Sequence, residues 1–211
     1  MNQARANILA CLGASTGAPD LLLPALKPAF VNDANSLVAL LKTKLLAVHA
    51  SVDIIDDNDD TATAVTASVL GFLKQKTQPL SVTLTPAVDK QYFDHALLSI
   101  SHSQDYAHCQ TVVTQATAGV AETGSLILPS SLARPTLANF LPDNCIVLLN
   151  AADIKPHLED ALATVQSSKV GMPRALNIIS GPSKTADIEQ TLVYGAHGPI
   201  QLHVIILSHD A

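Results

Sequence analysis

The chain has 211 residues, enough for one domain with a substantial core and short of two full domains. Its 18 acidic and 12 basic residues give a formal charge of -6, and no basic cluster with interleaved aromatics occurs, which argues against nucleic acid or an anionic membrane as a partner. Hydrophobic residues make up 48%, yet no apolar run approaches the roughly 18 residues of a spanning helix, so membrane insertion is not expected.

At the start, Ile8, Leu9 and Leu12 fit one face of a short helix. A single positive charge before a patch of barely signal length is a poor secretory leader, so a cytoplasmic location is expected. Pro19, Pro24 and Pro28 then make a Pro-rich arm, which gives an expected division into residues 1–33 and a single α/β domain over 34–211. Cys11, Cys109 and Cys145 are odd in number and far apart, as suits free thiols in a reducing compartment. Without a CxxC or CxxxC, no iron–sulfur cluster or zinc site is expected in this chain.

Leu37, Val38, Leu41, Leu45 and Val48 recur at helical spacing and predict an amphipathic helix over 32–50. Alternation over 50–55 predicts a strand. The acidic knot Asp56, Asp57, Asp59 and Asp60 lacks the Gly and Glu of an EF-hand and suits the N-terminus of the next helix, whose buried face is Val65, Val69, Phe72 and Leu73. A strand over 80–84 follows. Residues 87–112 are hardest to read: His95, His102, His108 and Cys109 do not share a ligand spacing, so solvated or hydrogen-bonded histidines are expected rather than a metal.

Strands over 112–113, 118–121 and 125–128 surround Glu122, the one ionisable side chain in the small and apolar run AGVAETGSLIL. Gly124 suits a turn that a side chain would forbid. A short helix containing Pro135 is expected next, capped by Ser130 or Ser131, then a strand over 145–149 and a helix with Ile154, Leu158, Ala161, Leu162 and Val165 on one face. A strand over 175–180, a turn at 181–185, a short helix over 186–192 and a closing strand over 202–207 complete the chain. Alternating strands and helices with continuous apolar strands predict an α/β layer fold with a largely parallel sheet.

Three loops could carry chemistry: Glu122-Thr123-Gly124-Ser125, Gly181 to Thr185, and Gly195 to Pro199 with His197 and Gly198 at its centre. Ligands in open α/β sheets sit beyond the carboxyl ends of strands. Ser183 and Thr185 can cap a helix whose free amides would hold a small anion beside Lys184, although Asp187 and Glu189 compete for the same amides. Ser183 before Lys184 breaks the P-loop pattern, and no GxSxG elbow occurs. A costly carboxylate at Glu122 is either a tied structural group or a working one.

The segments AETGSL at 121–126, ISGPSKTADIEQTL at 179–192, GAHGP at 195–199 and LHVIIL at 202–207 together resemble the LUD-domain family, in its lactate utilisation protein C (LutC/YkgG) branch. The resemblance runs from about Thr111 to the end. It implies a three-layer α/β/α fold like that of the NagB/RpiA/CoA-transferase group. It further implies an accessory role in a system oxidising L-lactate to pyruvate, beside partner proteins that carry the iron–sulfur and redox machinery. Lys184 stands where the family more often shows Arg, which weakens a bidentate grip on an oxyanion. Glu122-Thr123-Gly124 resembles the turn that carries the nucleophilic glutamate of CoA transferases. Three functions therefore stand open: an accessory subunit with a small-anion site at the loops, a free-standing CoA-transferase- or isomerase-like enzyme using Glu122 with Lys184 or His197, and a non-catalytic assembly module. The sequence indicates neither a cofactor nor an oligomeric state.

Overall fold

A computed structural model describes residues 33–56, 60–94, 96–167, 172–186, 192–194 and 197–208. The expected N-terminal helix and most of the Pro-rich arm, His95 and the middle of the expected 186–192 helix lie outside the described residues.

The first helix, α1 (Ala34–Ala47), begins where the Asp33 carboxylate accepts hydrogen bonds from the Ser36 amide at 3.2 Å and hydroxyl at 3.0 Å, and it buries Leu37, Val38, Leu41 and Leu45. It stops before His49, whose φ of 68° is left-handed. Strand β1 (Ser51–Asp56) follows, then α2 (Thr61–Gln75), β2 (Ser81–Leu84), β3 (Ser99–Ser101), β4 (Thr111–Gln115), β5 (Ala118–Val120), β6 (Ser125–Pro129), β7 (Asn144–Asn150), β8 (Ile154–Lys155), α3 (Leu158–Gln166), β9 (Leu176–Ile179), β10 (Lys184–Ala186), β11 (Leu192–Tyr194) and β12 (Gln201–Ser208).

Six strands form a sheet in the order β1-β12-β7-β4-β2-β3, every neighbouring pair parallel. Strand alternation divides its side chains between two cores. Cys145, Val147 and Leu149 of β7 and Leu202, Val204 and Ile206 of β12 pack with α1, while Ile146, Leu148, Ile205 and Leu207 pack with Val65, Val69, Phe72 and Leu73 of α2. Strands buried on both faces read as continuous apolar runs for this reason. The result is the expected three-layer α/β arrangement with a largely parallel sheet.

A second sheet, order β8-β5-β6-β9, was not foreseen as such. It is antiparallel except for the β5–β8 pair, and it lies on the α1 side, giving Leu126 and Leu128 to the same core as α1. Its other side takes Ala161 and Val165 of α3 against Ala118, Val120 and Ile127.

Three element expectations need correction. Ile154 is in β8, pairing with Gly119, and the helix starts only at Leu158. Pro135 precedes a single 3-10 turn, Thr136–Asn139, whose entry uses the Ser131 hydroxyl as acceptor for the Arg134 amide at 3.0 Å. Both ends of the expected 186–192 helix are strand instead: Lys184–Ala186 and Leu192–Tyr194 pair antiparallel as β10 and β11. Val193 and Tyr194 are strand-favouring types, and Gly181-Pro182 spends the turn before Lys184 rather than after it.

His203 breaks the apolar run of β12 on the α2 side. It is buried, stacks on Phe72 at 5.0 Å, and its ring nitrogens are hydrogen-bonded to the Ser51 hydroxyl at 2.8 Å and the Ser68 hydroxyl at 2.9 Å. Ser68 in turn donates to Asp53 at 2.6 Å. Burial lowers the His203 pKa, against a smaller opposing pull from Asp53.

Candidate functional site

Glu122 and its partner are brought together by the one parallel pair of the second sheet. Strands β5 and β8 run side by side and end together, with the Ala121 amide donating to Lys155 O at 2.9 Å and the Glu122 amide to Pro156 O at 3.3 Å. The chain turns away at Thr123-Gly124 on one side and enters α3 at His157 on the other. The Glu122 carboxylate therefore faces the start of α3. One oxygen is 2.8 Å from His157 Nδ1, and the other accepts the Leu158 amide at 3.0 Å. His157 itself is nearly buried, with 8% of its side chain exposed against 26% for Glu122. The hydrogen bond with His157 lowers the Glu122 pKa most, and the Leu158 amide lowers it further. Glu122 thus caps α3 from a neighbouring strand and is held ionised.

Sequence reading missed His157. Its only signal was its place after Pro156 and before Leu-Glu-Asp, a helix-start pattern in which the side chain of interest is supplied from 35 residues away.

The other loop residues face a different way. Gly124 has φ 70°, and a Cβ there would lie 2.6 Å from Lys44 Cβ. Gly181 has φ 123°, and a Cβ there would lie 2.7 Å from Val48. Both loops are thus seated against the end of α1 at positions where only glycine fits. They are joined by hydroxyls: Thr123 Oγ1 to Ser125 Oγ at 2.7 Å, and Ser125 Oγ to Ser180 Oγ at 2.6 Å. The Ser183 amide donates to Pro199 O at 2.9 Å, and the His197 amide donates to Ser183 Oγ at 3.3 Å, tying the second loop to the third.

Between the second and third loops lies an open cleft of about 230 Å³. Ser180, Gly181, Ser183, His197 and Gly198 line it together with Phe140, Ile178, Ile179 and Pro199. Gly198 leaves space there, since a Cβ would meet Phe140 and Ser183 only at 3.5 Å. Among the described residues no Asp or Glu lines this cleft, and two serines and a histidine do, so it is biased toward ligands with hydrogen-bond acceptors.

Two expectations about this region change. The anion-holding helix N-terminus at Ser183 to Thr185 is absent, because Lys184 and Thr185 open strand β10. The cleft also stands at the amino ends of the parallel strands rather than their carboxyl ends. His197 to Pro199 lead into β12, Phe140 lies just before β7, and Gln201 and Asn144 pair at the starts of those two strands. The second sheet is the reason: β9 crosses the α1 side of the fold and delivers Ser180 to that edge.

A larger hollow of about 330 Å³ lies at the β2–β3 edge, lined by Ser81, Thr83, Ser99, Ser101, Asp105 and Cys109 among others, and holds none of the three loops. There His108 pairs with Asp105 at 2.9 Å, with both side chains exposed. Among the described residues no group of three His, Cys, Asp or Glu could hold a metal ion.

Comparison with known proteins bears on both the fold and the loops. The LUD domain family matches residues 86–207. An uncharacterized protein of Neisseria meningitidis is 38% identical over 92 residues, covering 44% of this chain and 40% of the relative. Lactate utilization protein C of Anoxybacillus flavithermus is 33% identical over 89 residues, covering 42% of this chain and 40% of the relative. YkgG of Escherichia coli, also uncharacterized, is 36% identical over 98 residues, covering 45% and 42%. These matches thus span about two fifths of the relatives' length. The crystal structure of a DUF162 family protein from Deinococcus radiodurans shares the fold, with a TM-score of 0.60 at 16% identity over 83% of this chain and 98% of the other. A family match over more than half of the sequence, with relatives of this kind, settles the assignment: the chain belongs to the LUD domain family, in its lactate utilization protein C/YkgG branch.

Proposed function

We propose that this protein serves lactate utilisation as an accessory component, binding a small anion in the cleft between Ser180–Ser183 and His197–Pro199. The observation that carries the reading is the cleft itself: loops within the stretch matched by the LUD domain family, residues 86–207, converge on a hollow lined, among the described residues, by hydroxyls and an imidazole and by no carboxylate. L-lactate and pyruvate are the anions that reading names. The oxidation of lactate to pyruvate is assigned to iron–sulfur and redox partner proteins in the cytoplasm, with which this chain would act. No described helix is long and apolar enough to cross a membrane.

Within this reading Glu122 works as an anchor for α3, because both carboxylate oxygens are already engaged. The competing proposal, a CoA-transferase- or isomerase-like enzyme with Glu122 as nucleophile or base, requires that carboxylate to leave His157 and the Leu158 amide. Filling the cleft decides between them. Gly198→Leu puts a side chain into the cleft, with its Cβ in ordinary van der Waals contact with Phe140 and Ser183. Growth on L-lactate of a strain relying on this protein should fall while the variant stays folded. Undiminished growth with Gly198→Leu would refute the cleft as the working site.

A further inference from the structure

The cleft reading leaves open what makes Ser180 a donor, and the hydroxyl chain behind it answers this. Thr123, Ser125 and Ser180 carry three hydroxyl protons between them and share two short hydrogen bonds, of 2.7 and 2.6 Å. Ser125, the middle member, is buried with 3% exposure. Its proton must go to one neighbour or the other, since a buried donor left unsatisfied is costly. If Ser125 donates to Ser180, Thr123 donates to Ser125, and the Ser180 proton is left over for the cleft. If Ser125 donates to Thr123, Ser180 donates to Ser125, and Ser180 offers the cleft only a lone pair.

The chain therefore has two concerted arrangements. Thr123 is exposed, so solvent satisfies its outer end in either one. Ser183 adds a second donor, because its oxygen already accepts the His197 amide and its own proton remains. The lining of the cleft also includes the apolar residues Phe140, Ile178 and Pro199.

We infer that Thr123 and Ser125 are positioning residues that turn the Ser180 hydroxyl proton into the cleft, and that this selects a short monocarboxylate over its neutral amide. A carboxylate only accepts, and it draws the chain into the first arrangement, in which each bond polarises the next. An amide group brings its own donors and gains less. The inference rests on the proposed cleft, and its test separates the two.

The probes are L-lactate and lactamide, titrated into the protein at neutral pH while the backbone amide resonances of His197 and Gly198 report cleft occupancy. Wild type should bind lactate more tightly than lactamide, with shifts at those two amides. Ser180→Ala should lower the lactate preference by about tenfold or more, the loss expected for one hydrogen bond to a charged group. Ser125→Ala should lower it by roughly three- to tenfold while lactamide binding is kept, a change of ratio that a general loosening of the loops would not give. Thr123→Val, at an exposed position that folding tolerates, should lower it about twofold. If lactate shifts the cleft amides but the three variants keep the wild-type preference, the hydroxyl chain is overturned and the cleft stands. Failure of lactate to perturb His197 and Gly198 in wild type would overturn both.

Discussion

The corner at Glu122 and the cleft at Ser180 are joined through the hydroxyls of Thr123 and Ser125 and spend their polar groups in opposite ways. At the corner every strong acceptor is used: one carboxylate oxygen meets His157 and the other the Leu158 amide. In the cleft hydrogen-bonding capacity is left over: Ser183 accepts the His197 amide and keeps its own proton, and Ser180 faces the cleft with a proton or a lone pair according to which way the Ser125 bond runs. A conspicuous charge in the sequence is therefore a tie between elements, while the groups free to meet a ligand are neutral and inconspicuous. Surplus hydrogen-bonding capacity, rather than charge, marks the better candidate site.

The sharpest way to disturb both regions together is at their common support on α1. Gly124→Ala places a Cβ 2.6 Å from Lys44 Cβ at φ 70°, so it should cost about 2–4 kcal/mol and lower Tm by several degrees in thermal unfolding. A variant as stable as wild type would show that the loop is not seated there.

A smaller effect is expected at the corner alone. Glu122→Ala removes the cap of α3 and should cost about 1–2 kcal/mol, measured by urea unfolding. Lactate binding at the cleft amides should be unchanged, which is what separates anchor from active group.

pH provides a milder probe. The folded pKa of Glu122 is lowered, so its contribution to stability is complete above the ordinary carboxylate value and is lost as pH falls through the folded value. His203 is lowered too, by burial, so its contribution is complete above about pH 6.5 and declines as pH drops below that toward its folded value. Stability should thus decline in two stages on acidification. Glu122→Gln should flatten the lower stage and His203→Gln the upper one, with Tm against pH as the readout.

Much of the architecture was legible because burial on both faces writes itself into β7 and β12 as apolar runs, that of β12 interrupted only by His203, and α1 and α2 show helical spacing. The second sheet was not, since β5 and β8 are only three and two residues long and carry too few alternations to reveal pairing. That hidden sheet also decides where the proposed cleft lies. It carries Ser180 to the amino ends of the parallel strands, so this cleft stands at the opposite edge from the one that the carboxyl-end rule names. The loop residues themselves were legible as Gly, Ser and His in turn-forming segments. Glu122 was singled out for the right chemical reason, the cost of an unpaired carboxylate, but its partner follows the neighbouring strand β8 and no sequence spacing gives it away.

The most direct test compares Glu122→Gln with Gly198→Leu in two measurements, Tm and growth on L-lactate of a strain that depends on the protein. The account predicts that Glu122→Gln lowers Tm and leaves growth intact, whereas Gly198→Leu keeps a near-wild-type Tm and abolishes growth. Loss of growth with Glu122→Gln at unchanged Tm, together with normal growth of Gly198→Leu, would contradict it.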